Sequence, residues 1–597
     1  MKRLLILFFP LFLFGQSKED NFISENINSY FTLDRENIHL HLNKTVYINN
    51  ETIWFKGYVL DKKTKKLHPN TTNVFITLYD ENKKEIDTKL FYCSNGRILG
   101  HFPLNKDMLT GNYYLHAFTN YMNNFKEDES SLFKIKIINP NNKDDYNIDN
   151  ETIESVNYAF EGGNFLYNSE NSIIVSIKNC SGDGIEVTNI KVLDDNQKVV
   201  NTFSTNKMGF GKFTINNPKN IRYKIVAENK FSSKTIELEN PKMIGVNLTV
   251  NNYGVAEKTF IKLATNESSI NEIKTDKLKL IITQNEQTSI VNVNLEGKAF
   301  KEFLISNESF FHGVNNLILV DNENNILAER AFFNYSKNSN NFEINSVVRI
   351  KDSLKIKGKI NKKIADLSLS VVPSNSKSNF NEANIQSSLL IDNYLKNKIH
   401  YLSYYLNNYD RKKQYELDLF MSFNKYKYEL KNLLSEKPSN KYEFQIGLNV
   451  SGKINQKLSD TDKEKLKLQL FSHNGIREIT EIGANNEFVY KNLLIEDSLS
   501  LYYSLFKKED KLKSLNVYSK IEGNNNKFRI PINILNFTCI IKENTEITEN
   551  YSNDFPKLEK IITLDTIGLT GKFTKKLDYR IEGRFGSTGF KINEEIA

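Results

Sequence analysis

Apolar and polar positions alternate along most of this chain. Ile38, Leu40 and Leu42 alternate with His39, His41 and Asn43. Val74–Ile86 and Ile173–Gly184 each read as a strand followed by a turn, and Leu278–Leu295 and Leu317–Phe333 read as hairpins. A period of two marks a strand with one buried face, and short strands with frequent turn signals argue for sandwiches or barrels. The expected fold class is therefore mainly β, with tandem immunoglobulin-like β-sandwich domains. One stretch departs from this pattern. Ile385, Leu389, Leu390, Tyr394, Leu395, Ile399 and Leu402 recur at helical spacing. They predict two or three helices over about 381–430, inserted into a domain that starts and ends with strands.

Polar runs at 138–151, 337–341 and 435–441 read as linkers. They divide the chain into expected units at 35–140, 152–240, 241–337, 342–435 and 441–540, with a tail at 541–597. The start of the chain reads differently. Lys2 and Arg3 precede an apolar run, Leu4 to Phe14, which Gly15 and a polar segment follow. That is the signal-peptide pattern, so residues 1–16 are expected to direct export and be removed. The run is too short to cross a bilayer, and no other stretch approaches 18 apolar residues; the mature chain is expected to have no transmembrane helix. No cysteine lies near the cleavage point to carry a lipid anchor.

Composition changes the picture little. The 40 Phe and 29 Tyr supply several cores. The net charge of +8 comes from interleaved Lys and Glu rather than a basic block. This weighs against a nucleic-acid partner, which calls for a concentrated basic stripe. The three cysteines, Cys93, Cys180 and Cys539, are far apart and odd in number. They are expected to be buried or half-buried thiols rather than a disulfide framework.

Several segments carry a resemblance. Glu36–Asp61 resembles the opening of a macroglobulin MG2 domain, with Thr45 where Pro is usual and Asn50 where Gly is usual. Gly111–Phe125, Phe160–Leu166, Met208–Ile215, Gly313–Phe333, Leu417–Leu430 and Phe444–Ile454 follow in order. Together they resemble a group of Bacteroidetes envelope proteins with serial macroglobulin-like domains and a carboxypeptidase-regulatory-like sandwich. Leu558–Lys572 is similar to the linker before a TonB-dependent-receptor plug. The resemblance implies macroglobulin-like sandwiches in the cell envelope.

Chemical motifs are scarce. None of the cysteines stands in a thioester run with a partner Gln, and no G-x-S-x-G elbow or phosphate loop occurs. His39 and His41 share a strand face but lack an evident third ligand. Asp145–Asn150 resembles the start of a calcium loop but has Asn150 and Val156 where Gly and Glu belong. Glu161-Gly162-Gly163 reads as a turn opening a sandwich. Trp54 is expected in the core of the first unit. Asp392, His400 and Asp418 are the polar candidates for chemistry in the helical stretch. No catalytic, cofactor-binding or metal residue is assigned, and the chain is expected not to be an enzyme. The expectation is an exported scaffold or binding protein, periplasmic or outer-membrane-associated, with an envelope protein as partner. The alternative is a protease-interacting defence protein that works without a thioester.

Overall fold

The computed structural model describes residues 18–141, 151–532 and 588–591, apart from 274–276, 336–341, 361–365, 374–375, 377, 379–383, 398–401, 407–408, 460, 462, 464–465, 473–474, 496–498, 508–514 and 523–526. The stretch read as a signal peptide, the calcium-loop-like run at 145–150, His400, Cys539 and the plug-linker-like run at 558–572 all lie outside these residues.

The fold is mainly β, as the alternation predicts. In the first unit an eight-stranded sheet folds over on itself. The turning point is the long strand Glu85–Ser94, which pairs with Asn73–Asp80 along most of its length. At its end, Cys93 and Ser94 pair with Ile98 and Arg97 of the strand Arg97–Pro103. Alternate residues point inward, and Ile53, Phe55, Phe75, Leu115 and Phe118 share one buried core.

The next two units repeat a pattern of a three-stranded sheet packed on a four-stranded one. The second unit is built around Glu170–Lys178, with a core of Ile173, Val175, Ile190 and Ile225. The third is built around Lys258–Thr265 and Leu278–Gln284, with Leu248, Ile261, Leu280 and Leu317 between its sheets. The same three-plus-four pattern returns at Leu448–Glu522, where Thr588–Lys591 pairs onto the edge of Ser500–Lys507.

Residues 342–435 contribute a hairpin, Phe342–Ile350 with Ser353–Ile360, that joins no other sheet among the described residues, and then helices. The helices are Ile385–Leu390, Ser403–Leu406, Arg411–Phe423 and Leu430–Leu433. They form a hub rather than a projection from one sandwich. Leu417, Phe420 and Met421 of the longest helix pack in one cluster with Ile174 and Phe210 of the second unit and with Ile318 and Phe333 of the third. The N-terminal helix Lys18–Tyr30, hidden in what reads as a polar run, joins the same cluster through Ile23, Ile27 and Tyr30. Those positions are four and three apart, the spacing of a helix stripe. No helix of the described residues is long and apolar enough to cross a membrane.

Trp54 corrects one expectation. It is 56% exposed, because Ile53 and Phe55 hold the inward parity of their strand and Trp54 takes the outward one. There it lies against His101, with ring centroids 4.7 Å apart and the planes tilted by 31°. The cysteines correct another. Cys93 is a buried free thiol, pushed up to about 12 by burial, but Cys180 is disulfide-bonded. Sequence spacing carries no information on which cysteines the fold brings together.

Candidate functional site

Several charged residues within the resemblance-bearing segments leave the surface and meet at two buried clusters around the hub. Glu161 stands in the Phe160–Leu166 segment, Arg330 in the Gly313–Phe333 segment, and Asp418, Lys427 and Tyr428 in Leu417–Leu430.

The first cluster joins the second and third units to the longest helix. The Glu161 turn needs its glycine: Gly162 has φ +77°, and a Cβ there would lie 2.6 Å from the Leu248 backbone nitrogen of the third unit. The close approach brings the Glu161 carboxylate between elements. Lys212 Nζ donates to one oxygen at 2.6 Å, and Arg330 Nε donates to the other at 3.2 Å. The far side of the Arg330 guanidinium reaches Asp418 on the helix, with Nη2 to Oδ1 at 2.7 Å. Arg330, Glu161 and Asp418 are all buried. Two cations thus face two carboxylates from four separate segments. Burial alone would raise the Glu161 carboxyl, but Lys212 and Arg330 hold it below the usual range. Asp418 moves the other way. Its burial outweighs the help of Arg330, and its second oxygen accepts no hydrogen bond.

The second cluster joins the first unit to the hub and the N-terminal helix. Glu129 is its centre. Lys62 Nζ and Lys427 Nζ donate to one oxygen at 3.1 and 3.2 Å, while Tyr428 Oη donates to the other at 2.7 Å. Arg35 Nη1 donates to Glu129 and, at 3.3 Å, to Glu127, which also accepts from Tyr30 Oη at 2.8 Å. Lys62 further donates to the backbone oxygen of Asn393 at 2.9 Å. Burial works against the Glu129 charge, yet Lys427, Lys62 and Arg35 drive its carboxyl well below the ordinary range. Burial lowers Lys62 correspondingly, with Glu129 opposing.

The rest of the Arg35 guanidinium is satisfied differently. Its Nε and Nη2 have no hydrogen-bond partner, and its carbon lies 4.1 Å from the Phe125 ring centroid, 4.8 Å from Phe31 and 5.2 Å from Tyr428. A desolvated guanidinium over aromatic faces is a stabilising arrangement. Beside it lies a cleft of about 60 Å³ lined by Asp34, Arg35, Asp61, Lys62 and Glu286 among others. That is room for a few waters rather than for a small-molecule substrate.

The two histidines also serve as contacts. His39 is buried, with Nδ1 3.0 Å from Ser388 Oγ of the hub, and burial pulls its pKa down to about 3. His41 Nδ1 lies 2.6 Å from Ser368 Oγ. Ser368 belongs to a segment held on the outer face of the first unit, where Asp366 also pairs with Lys56 and Arg97. Each imidazole faces a serine from a distant segment. Among the described residues no group of three His, Cys, Asp or Glu is placed to hold a metal.

Glu161 and Asp418 stand out in the sequence, but their partners do not. Arg35, Lys62, Glu127, Glu129, Lys212 and Arg330 carry no motif of their own. One signal was present: Arg330 sits in Leu-Ala-Glu-Arg-Ala-Phe-Phe, a charge deep inside an apolar strand. Such a residue is rarely buried without a partner.

No protein-family model matches this sequence, and no curated protein matches it. Among solved structures the chain is similar to dimeric latent PorU from Porphyromonas gingivalis, at 13% identity over 50% of this chain and 33% of that one, with a TM-score of 0.23. It is similar to Escherichia coli alpha-2-macroglobulin activated by porcine elastase, at 9% identity over 81% and 43%, with a TM-score of 0.20. It is also similar to Salmonella alpha-2-macroglobulin reacted with methylamine, at 8% identity over 81% and 39%, with a TM-score of 0.16. The chain spans less than half the length of each of these three.

Proposed function

We propose that this chain is an exported, non-enzymatic scaffold or binding protein of the cell envelope. Its partner in this reading is a periplasmic or outer-membrane protein, and its role is accessory to transport or secretion. The observation that carries the proposal is the use made of the motif residues. Glu161, Arg330, Asp418 and Lys427 are engaged in buried ion pairs between units. A buried charge whose partner sits on another element fixes how the two elements meet. Chemistry of this kind holds β-sandwiches in a defined arrangement, and such an array presents strand edges and loops for protein contact.

Two further features support export. Lys2 to Gly15 reads as a signal peptide, and Cys180 is disulfide-bonded, a state favoured in oxidising compartments. The ordered macroglobulin-like segments support an envelope setting by resemblance.

Affinity purification of the tagged chain from envelope fractions tests the proposal. Reproducible enrichment of one periplasmic or outer-membrane protein is the expected result. Recovery of the chain alone, or its retention in the cytoplasm, would overturn it.

A further inference from the structure

The hairpin Phe342–Ile350 and Ser353–Ile360 is a sheet of two strands among the described residues. Its register pairs Val347 with Ile356, Arg349 with Leu354 and Ile344 with Gly358. Cross-strand partners share a face, so Ile344, Val347, Leu354, Ile356 and Ile360 line one side, with Arg349 among them opposite Leu354. Lys355, Lys357 and Lys359 line the other, beside Val348 and Ile350 of the first strand and with Glu343 opposite Lys359. Ile344, Val347 and Leu354 are 54%, 57% and 58% exposed, and the three lysines are exposed too.

A solitary hairpin is marginal in water, and an open strand edge is a template for another strand. Among the described residues the strand Ser353–Ile360 pairs along one side only. Its far edge offers backbone donors and acceptors flanked by Leu-Lys-Ile-Lys-Gly-Lys-Ile, a strict alternation of apolar or glycine positions with lysine. Over residues 342–360, Arg349 and four lysines stand against Glu343 and Asp352, a balance of 5 − 2 = +3. Edge lysines can also guard a sheet against pairing. Such a guard repels another basic strand, whereas an acidic strand would neutralise it.

We propose that this free edge is a β-addition site for an extended segment of a partner protein that alternates apolar and acidic residues. Backbone hydrogen bonds align the incoming strand. Its apolar side chains extend the Leu354, Ile356 and Ile360 face. Its carboxylates stand opposite Lys355, Lys357 and Lys359, where cross-strand charge pairs are favourable. The inference deepens the scaffold reading by naming the chemistry of the partner, and it rests on that reading for its biological sense.

The test uses the full exported chain and two labelled nine-residue peptides, one alternating Val and Glu, the other alternating Val and Lys. Fluorescence anisotropy is expected to show the Val–Glu peptide binding at least tenfold tighter, with the gap narrowing in high salt. The triple variant Lys355→Glu, Lys357→Glu and Lys359→Glu should invert the preference while leaving the unfolding midpoint and circular dichroism unchanged. Equal affinity for the two peptides, no binding of either, or a preference that survives the triple change would sink the proposal. Hydrogen exchange supplies an independent readout: the edge amides of Ser353–Ile360 should exchange fast in the free chain and slow when the peptide binds. Protection already present in the free chain would show that this chain or a second copy fills the edge, and would equally overturn it. Capture of an envelope partner that persists in the triple variant removes this site and leaves the scaffold reading standing. Charge-dependent peptide binding without any envelope partner does the reverse.

Discussion

In the hub, Arg330, Lys62 and Lys427 are buried and each meets a carboxylate. In the hairpin at 342–360, Lys355, Lys357 and Lys359 stand in solvent, opposite a face of apolar side chains that is also exposed. Both regions mix charge with apolar residues, and neither composition nor alternation separates them. The difference lies in what approaches from elsewhere in the chain. The hub receives side chains from the N-terminal helix and three sandwiches, so its charges lose water and gain partners. Among the described residues the hairpin receives none of these. A buried charge is costly unless paired, so the hub encodes one arrangement of its units, whereas the hairpin remains able to accept another strand.

The contrast should break most clearly at Arg330. Arg330→Met leaves Glu161 and Asp418 buried without their shared cation, and should destabilise the hub by about 3–5 kcal/mol, against less than about 0.5 kcal/mol for Lys357→Ala in the hairpin. Denaturant unfolding of both variants checks this. Adding Asp418→Asn to Arg330→Met should recover part of the loss, since Glu161 keeps Lys212 and the uncompensated carboxylate is then removed. Equal, small effects at Arg330 and Lys357 would erase the distinction between the regions.

Glu129→Gln comes next. It withdraws the one carboxylate facing three cations and should cost about 3 kcal/mol or more, with proteolysis newly cutting between the first unit and the hub. Intact resistance to protease would mean that the apolar hub alone holds the units.

The pH profile sharpens the comparison further. Glu129 and Glu161 are held below their ordinary value, so their stabilisation is complete above about pH 4.5 and is lost as pH falls further. Glu36 has the opposite sign. Burial pushes its carboxyl up to about 7, against hydrogen bonds from Thr119 and Thr71. The folded state therefore holds a proton that the unfolded chain releases above about 4.5. This contribution is fully present below about pH 4.5 and is lost as pH rises through 7, by up to about 3 kcal/mol. Glu36→Gln should flatten that decline in thermal melts between pH 5 and 8 and leave the acid limb intact.

The smallest effect is expected at Trp54. Trp54→Ala should cost under about 1 kcal/mol, because the ring touches His101 on the outer face rather than filling the core. A loss of 3–5 kcal/mol, usual for a buried tryptophan, would place the ring inside.

Much of the fold was legible in the sequence and little of the site. Period-two alternation at Ile38–Leu42 and Leu317–Phe333 identifies strands because a strand's faces alternate whatever its neighbours are. The apolar positions from Ile385 onward identify helices, although the stripe breaks where Ile385–Leu390 ends. Glu161-Gly162-Gly163 reads correctly as a turn. Its carboxylate's role was hidden, because Lys212, Arg330 and Asp418 lie 51, 169 and 257 positions later in the chain (212 − 161, 330 − 161 and 418 − 161). The N-terminal helix was overlooked because its flanks are polar and only Ile23, Ile27 and Tyr30 carry the period.

The sequence by itself determined most local elements: short strands, their turns, and the helical stretch from Ile385 onward. Those depend on backbone propensity and on which positions alternate, and both are written residue by residue. Only the tertiary structure decided which charges are paired and which stay wet, that Trp54 faces out, and that Glu161 and Asp418 share one arginine. Those outcomes depend on which distant segments remove water from a side chain, and no local pattern records that.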